Sequence, residues 1–129
     1  MATKKIKTKK KTAKTVENGR IYITSTFNNT LVTITDIKGD VVAWSSSGAS
    51  GYKGTRKSTP YAATQAVENV IKKAQEKGLK NVEVYIKGPG SGRDSALRAI
   101  KSTGLSITQI ADITPIPHNG PRASKKRRI

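Results

Sequence analysis

The first half of the chain alternates apolar and polar residues in short runs, the pattern of half-buried β-strands. In the run 20–27 the apolar residues share one parity, which predicts that all of them, including Phe27, face a core. Two further runs, 30–37 and 41–44, continue the pattern, and an Asn-Asn pair and a Lys-Gly pair separate the three. These pairs are typical of tight turns, so an antiparallel meander is predicted.

A helix is predicted to begin at Pro60, because Thr59 suits the N-cap and proline suits the first helical position. Lys72 has a glutamate four residues away on either side, which predicts ion pairs on the exposed face. Gly78 is placed to end the helix as a C′ glycine. Small and β-branched residues recur at helical spacing and define a buried stripe: Ala63, Ala66, Val67, Val70 and Ala74.

The second half of the chain repeats a strand–helix–strand pattern. A fourth strand is predicted at 82–86, a second helix at 94–103 and a fifth strand at 105–113. The alternation of the fifth strand slips near Gln109, which indicates a β-bulge. The element order is β-β-β-α-β-α-β, and two strand–helix–strand units imply right-handed crossovers with parallel pairing. We therefore predict one α/β domain with packed helices and a mixed five-stranded sheet of order 3-2-1-4-5.

Charge divides the 129-residue chain into three parts. Lys and Arg number 25 against 8 acids, a net charge of +17, and the excess is concentrated at the two ends. We expect a basic N-terminal extension over 1–18, a folded domain over 19–117 and a basic tail over 118–129. A compact body with this charge needs a polyanionic partner, and the natural polyanions are nucleic acids and anionic membranes.

The two tails have too few apolar residues to fold alone. They are either disordered solubilising ends or arms that order on a phosphate backbone, and we favour arms because they flank a body that is itself basic. Residues 1–14 and 118–129 contain no acid. Their cations are Lys4, Lys5, Lys7, Lys9, Lys10, Lys11 and Lys14 at one end and Arg122, Lys125, Lys126, Arg127 and Arg128 at the other.

Several classes of function are disfavoured by what the sequence lacks. There is no cysteine and only one histidine, so neither a metal site nor a cofactor is expected. No apolar run approaches the roughly 20 residues of a membrane span, and no secretory signal is expected. Among the carboxylates, only Glu83 and Asp112 are placed to share a sheet face. A metal-dependent nuclease needs several converging carboxylates, so an enzyme is not expected.

A long loop is predicted between the third strand and the first helix, and such loops in compact domains are usually functional. It contains no acid, and its basic and hydroxyl side chains allow close approach to a sugar–phosphate backbone. Its tyrosine is able to stack on an unpaired base. A solvated loop with an ordinary tyrosine is the alternative, but the cluster of cations favours RNA. The candidate residues are Tyr52, Lys53, Arg56, Lys57 and Ser58.

A glycine-rich segment, with Gly88, Gly90 and Gly92 between Lys87 and Arg93, follows the fourth strand and precedes a helix. Free amides and the helix dipole make an anion site in that position. The glycine spacing does not match a dinucleotide fingerprint or a P-loop. A tight turn and an anion site are equally supported by the spacing itself. The flanking cations favour an RNA phosphate.

Four segments of the sequence resemble small-subunit ribosomal protein S11 of bacterial or organellar type. They are 27–30, 54–60, 87–93 and 112–120, the last reading Asp-Ile-Thr-Pro-Ile-Pro-His-Asn-Gly. The closing Lys-Lys-Arg-Arg is similar too, and the resemblance extends from about Gly19 onward. The chain departs from the family where Asn-Gly-Cys-Arg-Pro-Pro is usual, since Asn-Gly-Pro-Arg-Ala-Ser stands there.

The resemblance implies a ribonuclease-H-like fold without catalytic carboxylates. It implies a place on the platform of the small subunit, near the messenger exit, with small-subunit rRNA, neighbouring platform proteins and nearby messenger RNA as partners. No membrane and no homo-oligomer is expected. Besides the tail lysines and arginines, the rRNA-facing set is Asn28, Asn29, Tyr52, Lys53, Arg56, Lys57, Ser58, Lys87, Gly88, Gly90, Gly92, Arg93, His118, Asn119 and Gly120.

We therefore predict a structural rRNA-binding protein of the small ribosomal subunit. A bacterial cytoplasm is the expected location, and an organellar ribosome stays open as a second one. The alternative function is non-specific coating of nucleic acid, which the charge supports equally but which needs no motif-rich loops. A ribonuclease is the third.

Overall fold

The computed structural model describes residues 16–128, so the N-terminal lysines of the predicted extension lie outside the described residues. Seven main elements follow one another in the predicted order, and a short 3-10 helix at Gly54–Ser58 precedes the first α-helix. They are β1 (Asn18–Ser25), β2 (Thr30–Asp36), β3 (Val41–Ser46), α1 (Pro60–Gln75), β4 (Asn81–Lys87), α2 (Gly92–Ser102) and β5 (Ser106–Asp112).

The five strands form one mixed sheet of order β3-β2-β1-β4-β5, which confirms the predicted fold class. β2 pairs antiparallel with β1 and β3, whereas β4 pairs parallel with β1 and β5. Both helices pack against the same sheet face, because their buried residues join one core cluster with one parity of the strands. The strand residues of this core include Ile21, Ile23, Val32, Ile34, Val82, Val84 and Ile86.

Neither helix of residues 16–128 packs on the other sheet face. Tyr22 and Tyr85 stack there with ring centroids 5.3 Å apart. Beside them Arg20 lies 3.4 Å from Glu83, which also accepts a hydrogen bond from the Tyr85 hydroxyl. That hydrogen bond to a carboxylate raises the pKa of Tyr85.

The ends of α1 follow the predicted capping. The Thr59 hydroxyl accepts a hydrogen bond from the Ala62 amide at 3.3 Å. At the other end Gly78 has a φ of +89°, and the Gly78 and Leu79 amides donate back to the Gln75 and Ala74 carbonyls. This pair of bonds is the Schellman motif that a C′ glycine allows. The predicted ion pairs of Lys72 are wrong. Within residues 16–128, a basic nitrogen lies within 4 Å of a carboxylate oxygen only in the pairs Arg20–Glu83 and Arg93–Asp112.

The predicted inward position of Phe27 is wrong. β1 ends at Ser25, and the Thr26 amide donates to the Asn29 carbonyl at 2.8 Å, which closes a turn with Phe27 at its tip. Phe27 is consequently 75% exposed. Parity identifies the face of a residue only within a strand, and the hairpin begins two residues earlier than predicted.

Other element boundaries also differ from prediction. β3 continues through Ser45 and Ser46, because these serines pair with Val32 and Leu31 of β2. β2 ends before Ile37, where the Asp36 carboxylate accepts the Asp40 amide at 2.9 Å and begins a turn. α2 starts at Gly92 rather than at residue 94, so the end of the glycine-rich segment is helical.

The predicted bulge in β5 is confirmed and falls on Thr108. Val82 pairs with Ile107, but the next residue, Glu83, pairs with Gln109. Since side chains alternate along a strand, one extra residue moves every later β5 side chain to the opposite face. Asp112 therefore pairs with Ile86 on the helix-covered side, and the prediction that Glu83 and Asp112 share a face is wrong.

Candidate nucleic-acid interface

The segments predicted to contact RNA meet at one end of the sheet. β1, β4 and β5 are mutually parallel, and β3 has the same direction because both it and β1 are antiparallel to β2. Their carboxyl ends therefore lie at one edge of the domain. We name this surface the carboxyl face and define it by the four segments 26–29, 47–59, 87–91 and 113–114.

Three hydrogen bonds join these segments. The Gly90 amide donates to the Ser25 carbonyl at 3.0 Å, beside the β1–β2 turn. The Ser91 hydroxyl donates to the Ser58 carbonyl at 2.7 Å, and the Gly88 amide donates to the Thr114 hydroxyl at 3.1 Å. The loop after β4 therefore contacts each of the other three segments and connects them.

The three glycines of that loop are required by packing. Gly88 has a φ of +98°, and a Cβ there would lie 2.2 Å from the Ser25 carbonyl oxygen. At Gly90 a Cβ would lie 2.3 Å from both the Ser25 hydroxyl and the Thr26 carbonyl, and at Gly92 it would lie 2.4 Å from the Thr30 hydroxyl. The turn interpretation thus accounts for the glycine spacing, and the Gly88 and Gly90 amides already have acceptors within the chain.

Arg93 is engaged inside the protein. Its Nη1 donates to the Gly88 carbonyl at 2.9 Å, and its Nη2 forms an ion pair with the Asp112 carboxylate. Asp112 also accepts hydrogen bonds from the Thr114 hydroxyl at 2.6 Å and the Thr114 amide at 3.0 Å. These hydrogen bonds, first from Thr114 and then from Arg93, lower the pKa of Asp112 to about 2. The guanidinium ties the end of β5 to the loop after β4.

The loop after β3 presents cations around a half-buried tyrosine. Tyr52 meets Tyr61 edge to face with centroids 6.1 Å apart, and burial raises the pKa of Tyr52. Lys53 and Arg56 are exposed, and Lys57 is half-buried. Ser58 uses its hydroxyl to bond the Thr55 carbonyl within the 3-10 helix.

The β1–β2 turn adds an aromatic residue that the sequence reasoning missed. Asn28 is exposed at its tip, whereas the Asn29 side chain accepts the Thr30 amide at 2.8 Å and so stabilises the turn. Phe27 projects beside them and is the most exposed aromatic side chain of the described residues. The sequence feature that indicated an exposed position for this residue is that the phenylalanine directly precedes the Asn-Asn pair of a turn.

The C-terminal segment leaves the carboxyl face as an extended, exposed chain. Residues 115–128 contain neither helix nor strand and are exposed throughout. Asn119 adopts a φ of +53°, within the predicted turn beside His118 and Gly120. The cations from Arg122 onward are therefore accessible, and no described contact holds them to the domain.

Charge is distributed unevenly between the two ends of the domain. At the carboxyl face Lys53, Arg56 and Lys87 form no ion pair with any residue in 16–128. Four of the eight carboxylates lie at the opposite end, before β1, in the β2–β3 turn and after α1: Glu17, Asp36, Asp40 and Glu76. The field of the folded domain therefore favours approach of a polyanion to the carboxyl face.

Residues 16–128 contain no group of three or more His, Cys, Asp or Glu placed to hold a metal ion. Neither helix among them is long and apolar enough to cross a membrane.

Comparison with known families agrees with the resemblance seen in the motifs. A family model described as ribosomal protein S11 matches residues 19–128, which is most of the chain and includes every segment of the carboxyl face. The match begins within β1 and continues through the exposed C-terminal segment. The chain belongs to the ribosomal protein S11 family and is a small-subunit ribosomal protein.

Proposed function

We propose that the protein binds small-subunit rRNA through its carboxyl face, at the platform and near the messenger exit. The observation that carries this proposal is the gathering of the predicted RNA-binding segments at one basic end of the sheet. In this position the domain stabilises rRNA tertiary packing and helps to form the messenger exit region. There it contacts neighbouring platform proteins and lies near messenger RNA.

In this proposal the folded domain and the C-terminal segment make different contacts with rRNA. Lys53, Arg56 and Lys87 project from rigidly connected loops, so they fix the register of the domain on phosphates without reading bases. Phe27 and Tyr52 offer ring surfaces on which unpaired bases stack. The cations of the exposed C-terminal segment follow crowded RNA strands and neutralise their phosphates, which stabilises close packing.

The same geometry supports a structural rather than a catalytic role. Members of a ribosomal protein family are generally structural. Glu83 is held by Arg20 and Tyr85 on the open face, whereas Asp112 is held by Arg93 and Thr114 on the covered side. Two carboxylates on opposite faces of a sheet do not converge on one scissile phosphate.

A pair of charge-matched variants tests the proposal. The first replaces Lys53, Arg56 and Lys57 with glutamate at the carboxyl face. The second replaces Lys38, Lys80 and Lys101 with glutamate, and these exposed lysines lie at the opposite end of the domain. Binding to small-subunit rRNA is measured across a salt series, with bulk duplex DNA as competitor.

We expect the carboxyl-face variant to lose at least about tenfold in affinity and to reduce the salt slope by roughly 2 to 3 units, as loss of about three phosphate contacts predicts. The opposite-end variant should bind nearly as well as the wild type. Equal losses in both variants would contradict an oriented interface. Displacement of the wild type by duplex DNA would support the non-specific coating function instead.

A further inference from the structure

Within residues 16–128 no strand pairs with the outer edge of β3. The Ser47 amide donates to the Thr30 carbonyl across from it, which sets the alternation of the antiparallel β2–β3 ladder. Ala43 and Ser45 therefore direct their amides and carbonyls towards β2, whereas Trp44 directs its own outwards. The alternation stops at Val42, because the β2–β3 register shifts between Ile34 and Thr35 with Val42 as the extra residue. The Val42 carbonyl accepts a hydrogen bond from outside the sheet, from the Lys77 ammonium at 3.0 Å.

A groove follows this edge along the flank of α1. Its β3 side is formed by Val42, Ala43, Trp44 and Ser45, and Val42 and Ala43 give it an apolar floor. The Trp44 side chain lies on the open sheet face, because Trp44 pairs with Thr33, and it is 61% exposed, which is unusual for a tryptophan in a strand. The opposite wall is polar and is formed by α1 and the residues after it: Asn69, Lys72, Lys73, Glu76 and Lys77.

The polar wall is positively charged. It holds three lysines against one glutamate, and none of these lysines forms an ion pair with another residue in 16–128. Lys72 and Lys73 are both exposed. An occupant of this groove is therefore expected to be acidic.

We propose that an extended acidic segment of a neighbouring protein pairs with the outer edge of β3 as a sixth strand. Its backbone would use the outward amide and carbonyl of Trp44 and the carbonyl of Val42, in the manner of β-strand addition. Its acidic side chains would meet Lys72 and Lys73, and Lys77 would exchange the Val42 carbonyl for a carboxylate. The proposal rests on placement in the small subunit, where family membership supplies ribosomal-protein neighbours.

A polypeptide suits this edge better than RNA does. A strand edge offers alternating donors and acceptors at the spacing of another strand. The phosphates of RNA only accept, and its 2′-hydroxyl donors do not follow the spacing of a strand. The apolar floor at Val42 and Ala43 accepts side chains. The Lys77 end of the groove lies at the opposite end of the domain from the carboxyl face, so one protein is able to occupy it while rRNA occupies that face.

Photocrosslinking in purified small subunits tests the proposal. Trp44 is replaced with p-benzoylphenylalanine, an exchange that its exposed side chain tolerates, and sedimentation with the small subunit is verified first. We expect irradiation to crosslink the chain to a protein segment rich in aspartate and glutamate, identified by mass spectrometry. A crosslink to rRNA, a crosslink to a segment without acidic residues, or no crosslink would overturn the proposal.

A charge-reversed pair sharpens this test. Lys72→Glu with Lys73→Glu should lower the crosslink yield roughly tenfold, because two weak surface charge contacts become repulsive. Lys80→Glu with Lys101→Glu, the same charge change outside the groove, should leave the yield unchanged. Equal yields from both pairs would overturn the acidic assignment. If the chain sediments with small subunits but gives no protein crosslink, the edge proposal fails and the proposed function stands.

A measurement without any substitution checks the same edge. Hydrogen exchange over residues 41–46 is compared between the free protein and purified small subunits. The amides of Ala43 and Ser45 face β2 and are already protected in the free protein. We expect the Trp44 amide to exchange at least tenfold more slowly in the subunit, and unchanged exchange would overturn the added strand.

Discussion

At the scale of single residues, Asp112 shows how one backbone irregularity changes the chemistry of a side chain. Without the bulge at Thr108, Asp112 would lie on the open sheet face with Glu83. With the bulge, it meets Arg93 at the start of α2 and receives two hydrogen bonds from Thr114. A residue that the sequence offered as a catalytic candidate is in this structure an anchor for the chain that leaves β5.

The pKa of Asp112 provides a direct test of that anchor. In the folded protein it is about 2, below its ordinary 3.8, so the ionised form stabilises the fold. This contribution is complete above pH 3.8 and is lost as the pH falls through about 2. Thr114→Val and Arg93→Ala should each raise the pKa towards 3.8, measured by NMR titration of the Asp112 carboxyl carbon. An unchanged pKa in both variants would show that neither residue holds the carboxylate.

Gly90 is a second residue with a specific requirement. A Cβ at this position would lie 2.3 Å from the Thr26 carbonyl, a backbone atom that cannot move away cheaply. We expect Gly90→Ala to lower the free energy of unfolding by about 1–3 kcal/mol, the usual cost of overpacking. Urea denaturation measures the change.

Gly48→Ala is the matched control for Gly90→Ala. The nearest atom to a Cβ at Gly48 is the end of the flexible Lys57 side chain, at 3.4 Å. Its effect should stay within about 0.5 kcal/mol, as is usual for surface substitutions. Equal stability of the two variants would mean that the loop after β4 has room for a side chain at residue 90.

At the scale of elements, hydrophobic periodicity was enough to predict all seven main elements, and the rules for connections between them gave their order in the sheet. It works because the five strands and two helices each bury one regular face against a single core. Periodicity did not locate where strands end, because turns such as that around Phe27 are fixed by local hydrogen bonds. It also did not separate a packing glycine from an anion-binding one, since that difference depends on Ser25, a residue distant in sequence.

The N-cap of α1 gives a prediction at this scale. The Thr59 hydroxyl satisfies the otherwise free Ala62 amide, so Thr59→Ala should lower the free energy of unfolding by about 1 kcal/mol. Thr64→Ala is the control, because the Thr64 hydroxyl bonds the Pro60 carbonyl inside the helix and caps nothing. Urea denaturation should separate the two variants, and equal stabilities would contradict a capping role.

At the scale of the whole molecule, the domain joins a rigid basic end to an exposed basic chain. The loops of the carboxyl face are held together by hydrogen bonds, whereas residues 115–128 are exposed and have no helix or strand. Composition indicated a body with basic ends, but it did not place the cationic loops beside the exit of the C-terminal segment. That placement follows from the parallel pairing of β1, β4 and β5.

Truncation separates the roles of the two parts. Removal of Lys125–Ile129 should weaken incorporation into small subunits, because four cations are lost. It should leave the unfolding temperature of the isolated protein unchanged, since the residues up to Arg128 are exposed. Calorimetry and sedimentation measure the two effects. A fall of several degrees in unfolding temperature would show that this segment is part of the folded core.

The most direct test of the central claim is sedimentation of a cell lysate through a sucrose gradient in high salt, with the chain detected by antibody. A structural component held by many rRNA contacts should remain with the small subunit through the wash, in a stoichiometric amount. Release to the top of the gradient, or migration with DNA, would contradict the account and would show that the charge serves general binding to nucleic acid.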